Sequence, residues 1–256
     1  MSSFIALLSP AKLIDDQTHY PNLPCTEIDF SEEAKFLVSK LRKFKPKELG
    51  ELMSMSDALA AETYARFQTW ELPFTHKNAH PALLMFKGEV YRGLQAQELN
   101  SKQFDFAQKH IRILSGLYGI LRPLDLVMPY RLMMGTRLAV DKKNDTLYTF
   151  WKSAIYDHLH RDLDKKGVIV DLASNEYFKA VDAAALQRRV INCEFKEKKA
   201  GKIVTVNTYA KSARGKMARF IIDHKITKAS DLKAFDYDNY AYAPKHSQEN
   251  TWVFTR

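Results

Sequence analysis

The chain has 256 residues, 46% of them hydrophobic, enough to bury a large core and too many for a disordered segment. Its 39 Lys and Arg against 30 Asp and Glu leave a formal net charge of +9, which favours an anionic partner over an acidic or neutral one. Two widely spaced cysteines, Cys25 and Cys193, exclude a disulfide framework and a four-thiolate zinc site, and no run reaches the roughly 18 apolar residues of a membrane-spanning helix.

In chain order, Phe4 to Leu8 is a short apolar run closed by Ser9-Pro10, which predicts a buried strand ending in a loop. The opening MSSFIALLSPAK has no basic n-region or small-residue cleavage site, so it reads as that strand and the expected location is the cytoplasm. Ser31, followed by Glu32 and Glu33, starts a helix with Leu37, Leu41 and Phe44 on one face. Lys45 to Trp70 predicts two short helices, with Pro46 in the first turn of one and Ser56 capping the other. Ala82–Phe86, Ile111–Leu114, Val168–Leu172, Val190–Phe195 and Ile203–Tyr209 have strand length and several β-branched residues. Asp145 opens a helix with Leu147, Trp151, Ile155 and Leu159 on one side. The last two strands flank KEKKAG and predict a hairpin among alternating helices and strands. The expected fold is therefore α/β (α+β), a mixed sheet surrounded by helices, in one domain over residues 1–256 with no linker or repeat.

Three predicted strands end in polar loops that parallel order would bring to one edge. The first is Ser9-Pro10-Ala11-Lys12. The second, Ser115 to Pro123, carries Tyr118, two glycines and Arg122, with Tyr130 and Arg131 shortly after; it is not a Walker loop. The third carries Asn175, Glu176, Tyr177 and Lys179. Ordinary strand-ending turns, a core tyrosine and rim arginines would produce the same residues. From Phe195 to Phe220 there are eight basic residues against one acid, Glu197. A helix starting near Ser212 would gather Lys211, Arg214, Lys216 and free amide N–H groups into a phosphate site, unless the cations form a solvated face. The histidines do not make a metal site: His76 and His80 are four positions apart with Pro81 next, which argues against one helix face, and His158 and His160 point apart on a helix.

Taken together, LLSPAK, LMSMSDALA, FKGEVYRGL, LSGLYGILRPLDLVMPYRLMMG, LASNEYFKAV and YAKSARGKMARFII resemble the YaaA family of peroxide-stress proteins, in order and through nearly the whole chain. The resemblance implies a distinctive single-domain cytoplasmic α/β fold with a positively charged cleft, and DNA binding through a helix-hairpin-helix, for which residues 45–70 are the candidate. Ala60-Ala61-Glu62 departs from the family pattern, which has a glycine after the first alanine, so DNA contact is carried onto Lys12, Arg122, Arg131, Lys179, Lys211, Arg214 and Lys216 in preference to the hairpin. Ser9, Ser115, Tyr118, Tyr130, Asn175 and Tyr177 are expected to line the cleft.

Two functions follow from these residues. One is a monomeric binding protein, without cofactor, metal or membrane contact, that grips double-stranded or distorted DNA by its phosphates and protects it or assists DNA-repair proteins under peroxide stress. The other is an enzyme acting on a nucleotide or N-glycosidic bond in the cleft. It would need a general acid or base, for which Asp57, Asp125, Asp171 and Glu176 are candidates that spacing does not rank.

Overall fold

A computed structural model describes residues 2–18, 20, 22–199 and 201–256. Its main elements are β1 (Ser2–Leu8), α1 (Ser31–Leu41), α2 (Pro46–Met53), α3 (Asp57–Thr69), α4 (Glu89–Leu94), α5 (Ser101–His110), β2 (Ile111–Ser115), β3 (Gly119–Leu121), α6 (Leu147–Asp162), β4 (Leu163–Asp171), β5 (Arg189–Lys199), β6 (Lys202–Val204), α7 (Asn207–Asp223), β7 (Ala241–Tyr242) and β8 (Thr251–Thr255). The strands form one mixed sheet in the order β7-β8-β5-β4-β1-β2-β3, with β6 paired to β5. Its centre is parallel: β1 lies between β2 and β4, β4 also pairs with β5, and β5 with β8. Antiparallel β3, β6 and β7 complete the mixed sheet.

Burial explains the central strands. Phe4 to Leu8 are all fully buried, as expected of a parallel strand covered by helices on both faces. The buried side chains form one continuous cluster reaching from Phe4 to Phe254. Helix α6 buries Leu147, Trp151, Ile155 and Leu159, the stripe read from the sequence, although its cap is Thr146, not Asp145.

Two strand assignments fail. Ala82–Met85 is a single helical turn, followed by a two-residue strand, Phe86–Lys87, that pairs with Leu13–Ile14. A wholly buried apolar run has no periodicity to separate strand from helix. The strand expected to run from Ile203 to Tyr209 stops at Val204, and α7 begins at Asn207. The hairpin between β5 and β6 stands, but α7 starts one turn before Ser212, so Lys211 and Arg214 lie beyond its first turn and its free amides.

Helices α2 and α3 form the expected pair, joined across Ser54 to Ser56, with Ser56 Oγ accepting from Leu59 N–H. The amides of Ser54 and Met55 both donate to Gly50 O. The turn's first two donors are thus satisfied within the hairpin, which leaves an αα-hairpin without those amides for a phosphate.

Candidate functional site

The loops after β1 and β4, on neighbouring parallel strands, open onto the same edge of the sheet and define one side of a cleft of about 480 Å3. Ser9 to Leu13 and Leu172, Ser174, Glu176 and Tyr177 come from these loops; Lys87 to Tyr91, Tyr130 to Met133, and Lys211 with Arg214 of α7 close the rest. Ser9 ties the two loops together: its Oγ donates to Ser174 Oγ at 3.2 Å and accepts from Ser174 N–H at 2.8 Å.

Helix α7 reaches the cleft because it crosses α4 at van der Waals distance. A Cβ on Gly215 would fall 1.7 Å from Val90 O, and one on Gly93 2.2 Å from Ser212 O. Only glycines permit this crossing, and it places Lys211 and Arg214 on the cleft face.

Five cations and two carboxylates line the cleft. Lys87 is held by Asp15 at 2.8 Å, and Glu89 by Arg92. Glu176 Oε1 accepts from Gly135 N–H at 3.1 Å. Among the described residues, Lys12, Arg131, Lys211 and Arg214 have no carboxylate in ion-pair contact. Among the described residues Arg131 donates only a long 3.4 Å bond to Lys12 O, and its buried Nε meets no partner. Burial lowers the pKa of both Arg131 and Arg214 from the usual value, yet a guanidinium remains charged.

The walls are aromatic. Tyr91, Tyr130 and Tyr177 are buried; Tyr91 donates to Ser9 O at 2.9 Å, and Tyr130 shares a 2.7 Å hydrogen bond with Ser115 Oγ. Desolvation pushes all three phenols well above their usual range, so they act as protonated hydrogen-bonding groups. Asp171 closes β4 just before Leu172. Burial raises its carboxyl to about 6, against the Ala173 N–H it accepts and the nearby Arg214 charge, which both lower it.

Of the residues expected to bind nucleic acid, Lys12, Arg131, Lys211 and Arg214 line this cleft, and Ser9, Tyr130 and Tyr177 line it with them. The rest lie elsewhere. Arg122 is committed to Asp125 at 2.9 Å and Asp29 at 3.1 Å, part of a charge network in which Asp29 also meets His158 and Arg161, and Asp162 meets Arg112. Lys216 faces away on α7 and pairs with Asp238 at 2.7 Å. Lys179 and Asn175 are exposed outside the cleft. Ser115 is fully buried behind Tyr130, accepting from Leu117 and Tyr118 amides. Tyr118 is a core residue, accepting from Trp70 Nε1–H at 2.9 Å and donating to Met128 O. The glycines of its loop serve packing: a Cβ on Gly116 would meet Leu132 O, and Gly119 has φ +70° against Trp151. Lys87, Glu89, Tyr91 and Ser174 joined the cleft without being singled out; FKGEVYRGL held three of them, but no charge or turn pattern marked it.

Fold and site together define a mixed α/β protein in which cations without an ion pair among the described residues converge on an aromatic-walled cleft at the ends of parallel strands. The family described as peroxide stress protein YaaA matches residues 4–246, and the chain belongs to it. It is 45% identical over 254 residues to a UPF0246 protein of Teredinibacter turnerae, covering 98% of this chain and 99% of the relative. A UPF0246 protein of Saccharophagus degradans is 46% identical over 254 residues, with the same coverage, and one of Idiomarina loihiensis is 45% identical over 98% of both chains.

Proposed function

We propose that this chain is a monomeric DNA-binding protein that grips backbone phosphates at the cleft with Lys12, Arg131, Lys211 and Arg214, protecting DNA or assisting its repair under peroxide stress. One observation carries the reading: among the described residues these cations make no ion pair with a carboxylate, whereas Arg122, Lys216 and Lys87 do. An unpaired cation keeps its full attraction for a phosphate and releases a counterion when it binds. Membership of a peroxide-stress family supplies the context. Fluorescence anisotropy with unrelated duplexes from about 50 to about 200 mM salt tests it, since affinity should fall along a straight log–log line with a slope near −3.6 for four contacts. A slope near zero would refute phosphate binding.

A second reading, an enzyme acting on a nucleotide or N-glycosidic bond, is favoured by Asp171. It stands one residue before Leu172 of the cleft wall without lining the cleft itself, and burial raises its carboxyl to about 6, within the range a general acid or base uses. Incubating nucleotides and oligonucleotides with the protein and with Asp171→Asn, with chromatographic detection of released base, tests it. No release by the wild-type protein would reject this reading.

A further inference from the structure

The cleft is too small for a duplex and the right size for a piece of one. At about 480 Å3 it falls among pockets that enclose a small organic ligand, whereas a double helix can only lie across its mouth. Tyr91 and Tyr130 have their phenols anchored, to Ser9 O and Ser115 Oγ respectively, so their rings are fixed before any ligand arrives. Each ring is nearly buried, packed on Phe86, with Tyr118 also against Tyr130, so it gives the cleft an anchored apolar wall rather than a free face, and a base can pack against such a wall with little regard to sequence. The unpaired cations around these rings match the phosphates that flank a base.

On the rim, next to Lys12, stands Leu13. It is 68% exposed, more than any other large apolar side chain among the described residues. Its cross-strand neighbour is Lys87, so an apolar side chain is set between two lysines. A single exposed leucine needs no explanation. One held on a paired strand, between cations, at the mouth of a base-sized cavity with aromatic walls does.

Resting on the reading that this cleft meets DNA, we propose that it receives one nucleotide turned out of the duplex, and that Leu13 enters the base stack in the vacated place. The extruded base lies against the tyrosines, and its flanking phosphates meet the cations of the mouth. Apolar wedges part base steps in this way in proteins that bend DNA. Extrusion costs unpairing and unstacking free energy, least where the pair is already mismatched.

The test compares two duplexes that differ only by one central mismatch. The wild-type protein should bind the mismatched duplex about tenfold more tightly, because less pairing is lost on extrusion. Leu13→Ala, a change at an exposed position, should bring that ratio towards one. Added deoxynucleoside 5′-monophosphate should likewise abolish the ratio by occupying the cleft. Equal wild-type affinity for the two duplexes would overturn the extruded-nucleotide site while leaving phosphate binding intact. Absence of binding to either duplex would instead remove the phosphate reading beneath it. A tenfold ratio that survives Leu13→Ala would overturn the wedge. Saturable binding of the free monophosphate with no mismatch preference would also overturn the proposal, assigning the cleft to free nucleotides.

Discussion

The pairing state of the cations makes a sharper prediction than their number. Lys211 and Lys216 lie on the same helix; Lys211 faces the cleft unpaired, while Lys216 holds Asp238 at 2.7 Å. If Lys12, Arg131, Lys211 and Arg214 each neutralise one phosphate, log affinity against log salt should slope at about −3.6, and Lys211→Ala with Arg214→Ala should bring it to about −1.8. Raising salt from about 50 to about 200 mM should then weaken the wild-type protein about 150-fold and the double variant about 12-fold. Lys216→Ala should leave the slope within about 0.3 of wild type, because that cation contributes no released counterion; Asp238 still keeps Arg256. Lys198→Ala with Lys199→Ala, at the end of the β5–β6 hairpin, removes as much charge as the cleft variant and should change the slope less. Anisotropy titrations at four salt concentrations, with circular dichroism confirming the fold, read all four proteins. Equal slope changes in the cleft, hairpin and Lys216 variants would refute the localised site and leave diffuse surface charge as the explanation.

Other outcomes follow from the same geometry. Gly215→Ala would drive a methyl group into Val90 O and should cost roughly 3 kcal/mol or more, read as a lower thermal midpoint, together with weaker DNA binding as Lys211 and Arg214 shift. Asp171 has a folded pKa raised to about 6, so the folded state binds more protons than the unfolded one between about pH 4 and 6. The stability from its protonated form is complete below that window and is lost as pH rises through 6. Asp171→Asn should therefore stabilise the fold at pH 7.5 by up to about 3 kcal/mol, read as a higher thermal midpoint, and have little effect at pH 4; a midpoint unchanged at pH 7.5 would count against the burial penalty. Desolvation raises the Cys25 thiol to about 11 and the buried Cys193 thiol further. Mild peroxide should leave both as thiols, and a 25–193 disulfide found by mass spectrometry would contradict this.

Much of the fold was legible because its strands and helices carry unambiguous burial patterns. Phe4 to Leu8 is fully buried, and the stripe from Leu147 to Leu159 meets the core at every fourth residue. The errors fell where local pattern is mute. Ala82 to Met85 is buried on all sides, and Val204 to Tyr209 changes from strand to helix within a few residues. For the site, the sequence displayed which residues are basic but not which are already paired. Arg122 and Lys216 looked equivalent to Lys12 and Lys211, yet Asp29 and Asp238, remote in sequence, occupy them. Asp171 was visible as a carboxylate at a strand end. Its distinction from Asp125, which burial also raises but which is locked to Arg122 and Thr26, exists only in three dimensions.

Two sets of charges thus coexist in one basic chain, and they obey opposite rules. Around Asp29, His158 and Arg112 nearly every charged group meets an opposite one, as burial requires, because a lone charge taken from water costs several kcal/mol. Around the cleft Arg131 and Arg214 are also partly desolvated, yet among the described residues neither makes an ion pair; carboxylates act on them only from a distance, Asp171 and Glu194 on Arg214 and Glu62 on Arg131. A fold selected for stability alone would pair them or replace them with apolar residues of similar volume. The fold instead brings α7 across α4 through two glycines, and so gathers Lys211 and Arg214 opposite Lys12 and Arg131, which is the arrangement the proposed binding of an external anion rests on. Addition of an anion should accordingly stabilise the protein: a short duplex or a mononucleotide should raise the thermal midpoint in proportion to the logarithm of its concentration. The effect should be largely lost in the Lys211→Ala, Arg214→Ala variant and retained in Lys216→Ala. A midpoint shift of equal size in all three proteins would place the anion elsewhere.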